Sequence, residues 1–420
     1  MDQVRLTDWD NLEMPQWRRL VSAEETLARV KPLFPLFGIT RVANVTGLDT
    51  IGIPVVMVNR PNSRALAVSQ GKGVTLAAAK ASAVMESIES WHAERCTHLS
   101  LRIGSYEDLR YSLPVVDPDL LPANMDSAYR PHHQMLWAEG TNLHDGNSLW
   151  IPYEMVHTNY TLPLPTGHGC FQATSNGLAS GNHWVEAVIH GLSEVIERDA
   201  RTLWNLLPEE AQEETRVDLE TIADPTCRAL LARFAHAGVA VGVWDMTSDV
   251  GVPTFLARIV QADAGAGTTV RPATGYGTHL VPEIALSRAL TEAAQSRLTF
   301  ISGARDDMRR EEYDHFLAEE QQALWLNHIR LGATVRDFNQ VRGWRGQSLR
   351  GDLVELRQRL AQVGIENVVV VDLTRAEIGI PVVRVVVPGL EGVDNTRNYA
   401  LGPRGRRAAG LTLSAAPKRD

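Results

Sequence analysis

Three cysteines, Cys96, Cys170 and Cys227, are all that 420 residues contain. An odd, widely spaced set offers neither a disulfide framework nor a Cys-x-x-Cys metal site, so each is expected as a buried, inert thiol. Cys170 is the least bland, because TGHGCFQATSNG places it among glycines, where an exposed thiol could react with His168 as its base. Among thirteen histidines there is no His-Glu-x-x-His or comparable zinc spacing, and His132, His133 and His190 read as loop and face residues. No run of about 18 apolar residues occurs, and the opening MDQVRLTDWDNLEMPQW has neither the basic nor the apolar region of a signal peptide. A cytoplasmic location with no membrane partner is expected. Basic charge is short as well: 41 Lys and Arg against 50 Asp and Glu leave a formal net charge of -9, with no footprint for nucleic acid. A protein of this balance that binds phosphate needs metal ions to do so.

What is present is an ordinary globular composition, 44% hydrophobic and 22% charged, with enough chain for two or three cores or one interleaved core. One short pattern recurs. IGIPVV appears at 51–56 and again at 378–383, with WIPYEMV at 150–156 and VGVPTFLARIV at 250–260 as weaker relatives. Each reads as a strand with proline near its start, where a missing N–H does least harm to a ladder, and duplication is the simplest explanation. An exposed strand of this kind in each repeat suits a symmetric homodimer. The segment 114–147, rich in Pro, Asp, His and Asn, reads as a long loop, and 306–351 as a charged helical insert. A helix over 353–363 and a strand region over 368–387 complete the pattern.

A glycine-rich turn leads into a long helix three times: SQGKGVTLAAAKASAVMESIESWHAE, SNGLASGNHWVEAVIHGLSEVIERDA and TGYGTHLVPEIALSRALTEAAQSRLTF. Aligned on Glu86, Glu194 and Glu292, they place small residues, Gly71, Ala179 and Gly277, fifteen positions earlier. Ser82, His190 and Arg288 lie four positions before the same glutamates, and Glu89, Glu197 and Gln295 three after. A helix turns about 100° per residue, so positions i-4, i and i+3 share one stripe. Asn182, Glu186, His190, Glu194 and Glu197 thus line one face of the second helix, with Arg198 at its border. Apolar residues such as Val185, Val188, Leu192, Val195 and Ile196 occupy adjoining positions, so the acids lie beside surfaces that want burial.

A single Glu-x-x-Glu helix is usually a solvated face. Three copies in register, each behind a glycine turn, point elsewhere. Gathered carboxylates repel one another unless cations intervene, and all-oxygen ligands suit Mg²⁺, which bridges carboxylates to phosphates. Free N–H groups in the turns can meet phosphate oxygens, and Lys72, Arg198 and Arg297 add positive donors for a nucleotide. QGKGVT lacks the spacing and ending of a P-loop, and no kinase signature set is present.

The three ordered blocks closely resemble the signature segments of the YcaO family, over about residues 40 to 395. The resemblance implies an α+β fold, with repeated strand, Gly-rich turn and acidic-helix units around a nucleotide site. A helical segment (1–39) would precede the domain (40–395) and a polar tail (396–420) follow it. It also implies ATP- and Mg²⁺-dependent activation of a peptide-backbone amide. Ser82, Glu86 and Glu89 would match the first ATP/Mg motif, and Asn182, Glu186, Glu194, Glu197 and Arg198 the second. Glu86, Glu89, Glu194 and Glu197 would hold Mg²⁺, while Arg288, Glu292, Gln295 and Arg297 would contact phosphate or form the wall. No catalytic acid or base is assigned. The nucleophile decides the product: a side chain of the peptide gives an azoline, sulfide a thioamide, an amine an amidine. The chain ends LSAAPKRD rather than in a PxPxP tail, and DLTRAEIGIPVVRVVVPGLEG resembles members paired with TfuA-type proteins. Thioamide formation on a peptide or protein, with a TfuA-like sulfur-delivery partner, is therefore expected over cyclodehydration. A non-catalytic peptide-binding factor and a nucleotide-independent metal hydrolase are the readings from other classes.

Overall fold

The computed structural model describes residues 19–262, 270–303, 319–392 and 398–411. A short helix, α1 (Ala23–Val30), opens with a capping box in which Ser22 and Glu25 satisfy each other's backbone N–H. Strands β1 (Arg41–Asn44), β2 (Val55–Asn59) and β3 (Val68–Lys72) then form an antiparallel sheet with β2 in the middle. Helix α2 (Leu76–Ala93) follows, its first turn capped by the Thr75 hydroxyl.

The second unit is a six-stranded sheet. Its order runs β4 (Leu101–Gly104), β5 (Met135–Asn142), β11 (Val369–Asp372), β12 (Val382–Val386) and β7 (Leu178–Ser180), with β6 (Ser148–Pro152) paired to β5. Helix α3 (Trp184–Asn205) leaves β7 and packs back on β12. The third unit is the antiparallel sheet β8 (Val239–Asp245), β9 (Thr254–Gln261), β10 (Ala273–Thr278). Helices α4 (Pro225–His236) and α5 (Pro282–Ser302) cover one of its faces. Helix α6 (Glu319–Leu331) and Trp204 from the end of α3 cover the other. Helix α7 (Leu349–Gln362) lies on the outer side of α3 through Leu349, Leu353, Leu356 and Leu360, all buried.

The three small residues in register have a steric cause. A Cβ on Gly71 would stand 2.1 Å from the Ala83 nitrogen and 2.4 Å from the Ala79 oxygen. On Gly277 it would stand 2.1 Å from the Ala285 oxygen. Strand and helix backbones touch directly, which brings the polar stripe of each helix close to the next unit.

Three expectations need correction. The IGIPVV strands are interior, not exposed: β2 is the central strand of its sheet and β12 lies between β11 and β7, so neither offers an edge for a dimer. In WIPYEMV the proline ends the strand instead of opening it, and a short 3₁₀ turn follows. The proposed loop over 114–147 contains β5, a full member of the large sheet, because MLWAEGTN alternates buried and half-buried positions. Of the tail expected over 396–420, residues 398–411 are described and pack on the fold, while 412–420 lie outside the described residues. Tyr399–Ala400 pairs with Ala123–Asn124, and a terminal helix, α8 (Pro403–Ala408), is tied down by Arg404. That guanidinium reaches the fully buried Asp199 of α3 at 3.0 Å and Asp249 at 2.5 Å. Residues 1–18 and 304–318, parts of the predicted N-terminal segment and insert, lie outside the described residues. Among the described residues no helix is long and apolar enough to cross a membrane.

Candidate nucleotide and metal site

The polar stripes of α2, α3 and α5 meet. Glu89, on the last turns of α2, accepts the Ser180 N–H at 2.8 Å and its hydroxyl at 2.6 Å, which fixes α2 against the β7–α3 turn. Lys72, at the end of β3, forms an ion pair with Glu292 of α5 across 220 positions of sequence. The other Glu292 oxygen accepts the Tyr276 N–H at 3.2 Å. Glu194 and Glu197 of α3 complete the cluster, with Arg198 3.6 Å from Glu194. Ser82 and Glu86 lie on the exposed part of the same face of α2.

Electrostatics single this group out. Burial pushes the Glu89 carboxyl up to about 8, with Glu86 and Glu194 adding repulsion against the Ser180 bonds. Burial also raises Glu194, and it pushes Glu197 up to about 7 with repulsion from Glu292 and Glu194. For Glu292 burial acts upward but Lys72 and Arg198 outweigh it, so this carboxylate stays ionised. Arg288, whose Nη1 donates to the Thr278 carbonyl at 2.9 Å, is pushed down to about 10 by burial and by the Arg19 charge. Burial and the same arginines hold His190 well below the usual imidazole range.

Farther toward the start of α3, Glu186 is buried and receives Arg19 at 2.7 Å on one oxygen, while its Oε2 has no partner. Glu186, His190, Ser193, Arg288, His279 and Arg19 line a cavity of about 90 Å³. Asn182 turns instead to α1, donating to Thr26 Oγ1 at 3.0 Å. Gln295 reaches the Gln70 carbonyl at 3.4 Å and keeps a buried, unpartnered Oε1. Arg297 does not join the cluster: it is buried and bound to Asp49 at 2.9 and 3.2 Å and to Gln261 at 2.9 Å.

Sequence reasoning missed three contributors. Arg384 is buried in β12 and donates to the Val156, Thr174 and Asn176 carbonyls, placing a fixed positive charge within reach of Glu89 and Glu194. A charged residue inside PVVRVVV is the signal that could have found it. Ser180 and Arg19 gave no such signal. The alternative Cys170 site does not form: the thiol is buried and pushed up to about 11 by that burial, and His168 turns its Nδ1 toward Glu154 at 3.6 Å.

Desolvated, mutually repelling carboxylates next to Lys72, Arg198 and Arg288 fit a divalent cation and an anionic ligand. Glu186 Oε2, Arg198 Nε and Gln295 Oε1 are buried polar atoms still lacking partners. Among the described residues no three Asp, Glu, His or Cys side chains converge closely enough to hold a metal alone. That suits Mg²⁺, which takes part of its shell from water and phosphate.

An acid-lined site on an α+β frame sets the class, and the family follows from the sequence itself. Residues 70–391 match the sequence model described as YcaO cyclodehydratase, ATP- and Mg²⁺-binding, and the chain belongs to the YcaO family. ATP and Mg²⁺ are accordingly its cofactors. It is 37% identical over 389 residues to an uncharacterized protein in the tfuA 3' region of Rhizobium leguminosarum bv. trifolii, covering 91% of this chain and 90% of that one. An uncharacterized protein of Methanothermobacter thermautotrophicus is 37% identical over 391 residues, covering 88% and 94%. Among solved structures, a heterocyclase in complex with substrate and cofactor superposes with a TM-score of 0.74 at 22% identity, over 90% of this chain. The chain spans about half, 53%, of that heterocyclase. The YcaO protein of Methanopyrus kandleri bound with AMPPCP and Mg²⁺ superposes with a TM-score of 0.70 at 24% identity, over 91% of this chain and 96% of that one.

Proposed function

We propose that this protein uses ATP and Mg²⁺ to activate a backbone amide of a ribosomally made peptide or protein, which sulfide then converts to a thioamide. The observation that carries the nucleotide half is the meeting of three in-register helices in a carboxylate cluster, with Glu89, Glu194 and Glu197 raised and Glu292 held ionised. Along α3, Glu186 and Glu197 are eleven residues apart, roughly 16 Å at the helical rise. The cavity beside Glu186 and His190 suits the nucleoside, and Glu194, Glu197, Glu89 and Glu86 suit metal-bound phosphates. Bound Mg²⁺ supplies the positive charge that this acidic site lacks. Lys72 and Arg198 hold the glutamates and the phosphate end in position, and Arg384 adds a fixed positive charge near Glu194 and Glu89. In balance, hydrosulfide adds to the amide carbon and the amide oxygen leaves carrying the γ-phosphoryl group. The sulfide proton ends on the phosphate, and ADP is the other product.

The choice of sulfide rests on the relative encoded in a tfuA 3' region and on the TfuA-type likeness of residues 372–392. A TfuA-like protein would then be the sulfur-delivering partner. Azoline formation is the second reading, favoured by the family's cyclodehydratase description and the heterocyclase superposition. Intact-mass analysis of a peptide encoded beside this gene, incubated with the protein, ATP, Mg²⁺ and sulfide, separates them. A gain equal to the difference between sulfur and oxygen is expected; loss of one water would replace this reading with ring formation.

A further inference from the structure

The stripe that carries the glutamates on α3 continues beyond them. Arg201 and Trp204 lie four and seven residues after Glu197, on the same face of the helix. Arg201 stacks on the ring of Tyr276, 4.4 Å from its centroid. The Tyr276 backbone N–H binds Glu292 and its phenol acts on Arg198, so the residue borders the acid cluster. On β9, opposite Thr274 and on the same sheet face as Tyr276, stands Arg258. Its guanidinium is boxed by three indoles: Trp244 at 5.0 Å, Trp325 at 5.3 Å and Trp204 at 5.6 Å.

Arg258 is half-buried, and among the described residues it has no hydrogen bond and no ion pair; its Nε is buried without a partner. Several other interior arginines each have an anionic or carbonyl partner. Arg60 is paired with Glu94, Arg297 with Asp49, Arg404 with Asp199, and Arg384 is bonded to carbonyls. A permanently charged guanidinium, desolvated by aromatic faces and with no ion pair among the described residues, Glu213 and Glu209 acting on it only beyond ion-pair distance, is a built half of a recognition pair. Its place is also defined. If the nucleoside lies by Glu186 and the phosphates by Glu194 and Glu197, this wall lies past the phosphate end, where the reacting peptide has to be.

We infer that Arg201, Tyr276 and Arg258 form a carboxylate-binding subsite that seats an acidic group of the peptide beside the amide to be modified. The inference rests on the proposed reading of the nucleotide's orientation. The Arg258 guanidinium supplies forked donors for a carboxylate, the Arg201 charge on the Tyr276 ring adds attraction, and the tryptophan walls strengthen the bond by excluding water. An uncharged or basic side chain gains nothing there. The carboxylate comes from an Asp or Glu side chain or from the end of the peptide.

The test is fluorescence anisotropy of labelled octapeptides on the full-length protein loaded with Mg²⁺ and AMPPCP. Three are C-terminally amidated and differ only in one residue, Glu, Gln or Lys; a fourth carries the Gln with a free terminal carboxylate. The Glu peptide is expected to bind about tenfold tighter than the Gln peptide, the worth of a hydrogen bond to a charged group. Tight binding of the free-terminus peptide alone would support the subsite and identify its source. Arg258→Glu should reverse the order in favour of Lys, a result that loss of fold cannot produce, and Arg258→Lys should keep the Glu preference. Equal affinities in the parent, no binding of any peptide, or an acid preference surviving both Arg258→Glu and Arg201→Gln would overturn the subsite. Failure of the nucleotide reading shows separately, as undiminished AMPPCP binding by Glu197→Gln.

Discussion

Buried Glu154 and half-buried Glu197 both carry carboxyls pushed up to about 7, and they differ in everything that matters for function. At Glu154 burial is the only cause acting upward. Its oxygens accept the N–H groups of Gly169, Cys170 and Phe171 at 2.6, 3.1 and 2.8 Å, so the side chain closes a loop. At Glu197 burial is joined by the charges of Glu292 and Glu194, with Arg198 and Lys72 opposing. A desolvated acid surrounded by donors holds structure together; one surrounded by other acids fits the proposed cation. The shift alone does not distinguish them, but the neighbours do.

Substitution should split the two. Glu197→Gln is expected to lower Mg²⁺-dependent ATP turnover by about 100-fold or more, as loss of a metal-side ligand worth several kcal/mol requires. Its metal-free thermal midpoint should stay level or rise, because a repulsion has gone; turnover close to the parent's would remove Glu197 from the site. Glu154→Ala should do the reverse, lowering unfolding free energy by roughly 2–4 kcal/mol through stranded buried N–H groups. Denaturant titration reads that loss, and AMPPCP affinity at parental level shows that the nucleotide site is untouched.

Gly277→Ala tests the frame beneath both. The added carbon would meet the Ala285 oxygen at 2.1 Å, and overpacking of this kind costs about 1–3 kcal/mol. Strand and α5 must then part, moving Glu292 from Lys72, so nucleotide affinity should fall with stability. A variant as stable as the parent would show that the close approach is dispensable.

The smallest effect is in pH. A carboxyl whose folded pKa is raised binds its proton more tightly in the folded state, so it favours folding at low pH and loses that contribution as pH climbs to the folded value. Glu89, Glu197 and Glu154 therefore predict metal-free stability falling, on the order of 1–2 kcal/mol, between pH 6.5 and 8. Below that window His92, His157 and His190, held low by burial, oppose the trend, since they must stay neutral in the fold. Mg²⁺ with AMPPCP should flatten the part owed to Glu89 and Glu197 and leave the part owed to Glu154. Thermal midpoints across the window, with and without ligand, measure both; a slope insensitive to ligand would place the metal elsewhere.

The repeated unit was legible because periodicity survives without knowledge of packing. Glycine or alanine before each helix, and acids at i and i+3, follow from backbone contact and helical geometry alone. Side chains whose partners are far away in sequence were not legible. Arg297 lies on the same helix as Arg288, yet its guanidinium goes to Asp49, because α5 packs against the turn before β2. Nor were the protein partners of Asn182 and Lys72, Thr26 and Glu292, legible. The IGIPVV repeat suggested edges, since an apolar run does not reveal whether a second strand covers it. Strand β5 was hidden by the turn-rich residues that precede it.

Helix α3 is pinned at both of its ends by chain remote from it. Near its start Thr26 and Arg19 hold Asn182 and Glu186. Near its finish Arg404 holds Asp199, one position past Arg198. It is a beam on two supports, with the glutamates at mid-span and one support drawn from each extremity of the sequence. A tag, fusion or truncation that disturbs residues 19–26 or 399–408 would release one support and let the span tilt. Loss of nucleotide affinity in such a variant would be a mechanical fault, arising with every carboxylate still in place.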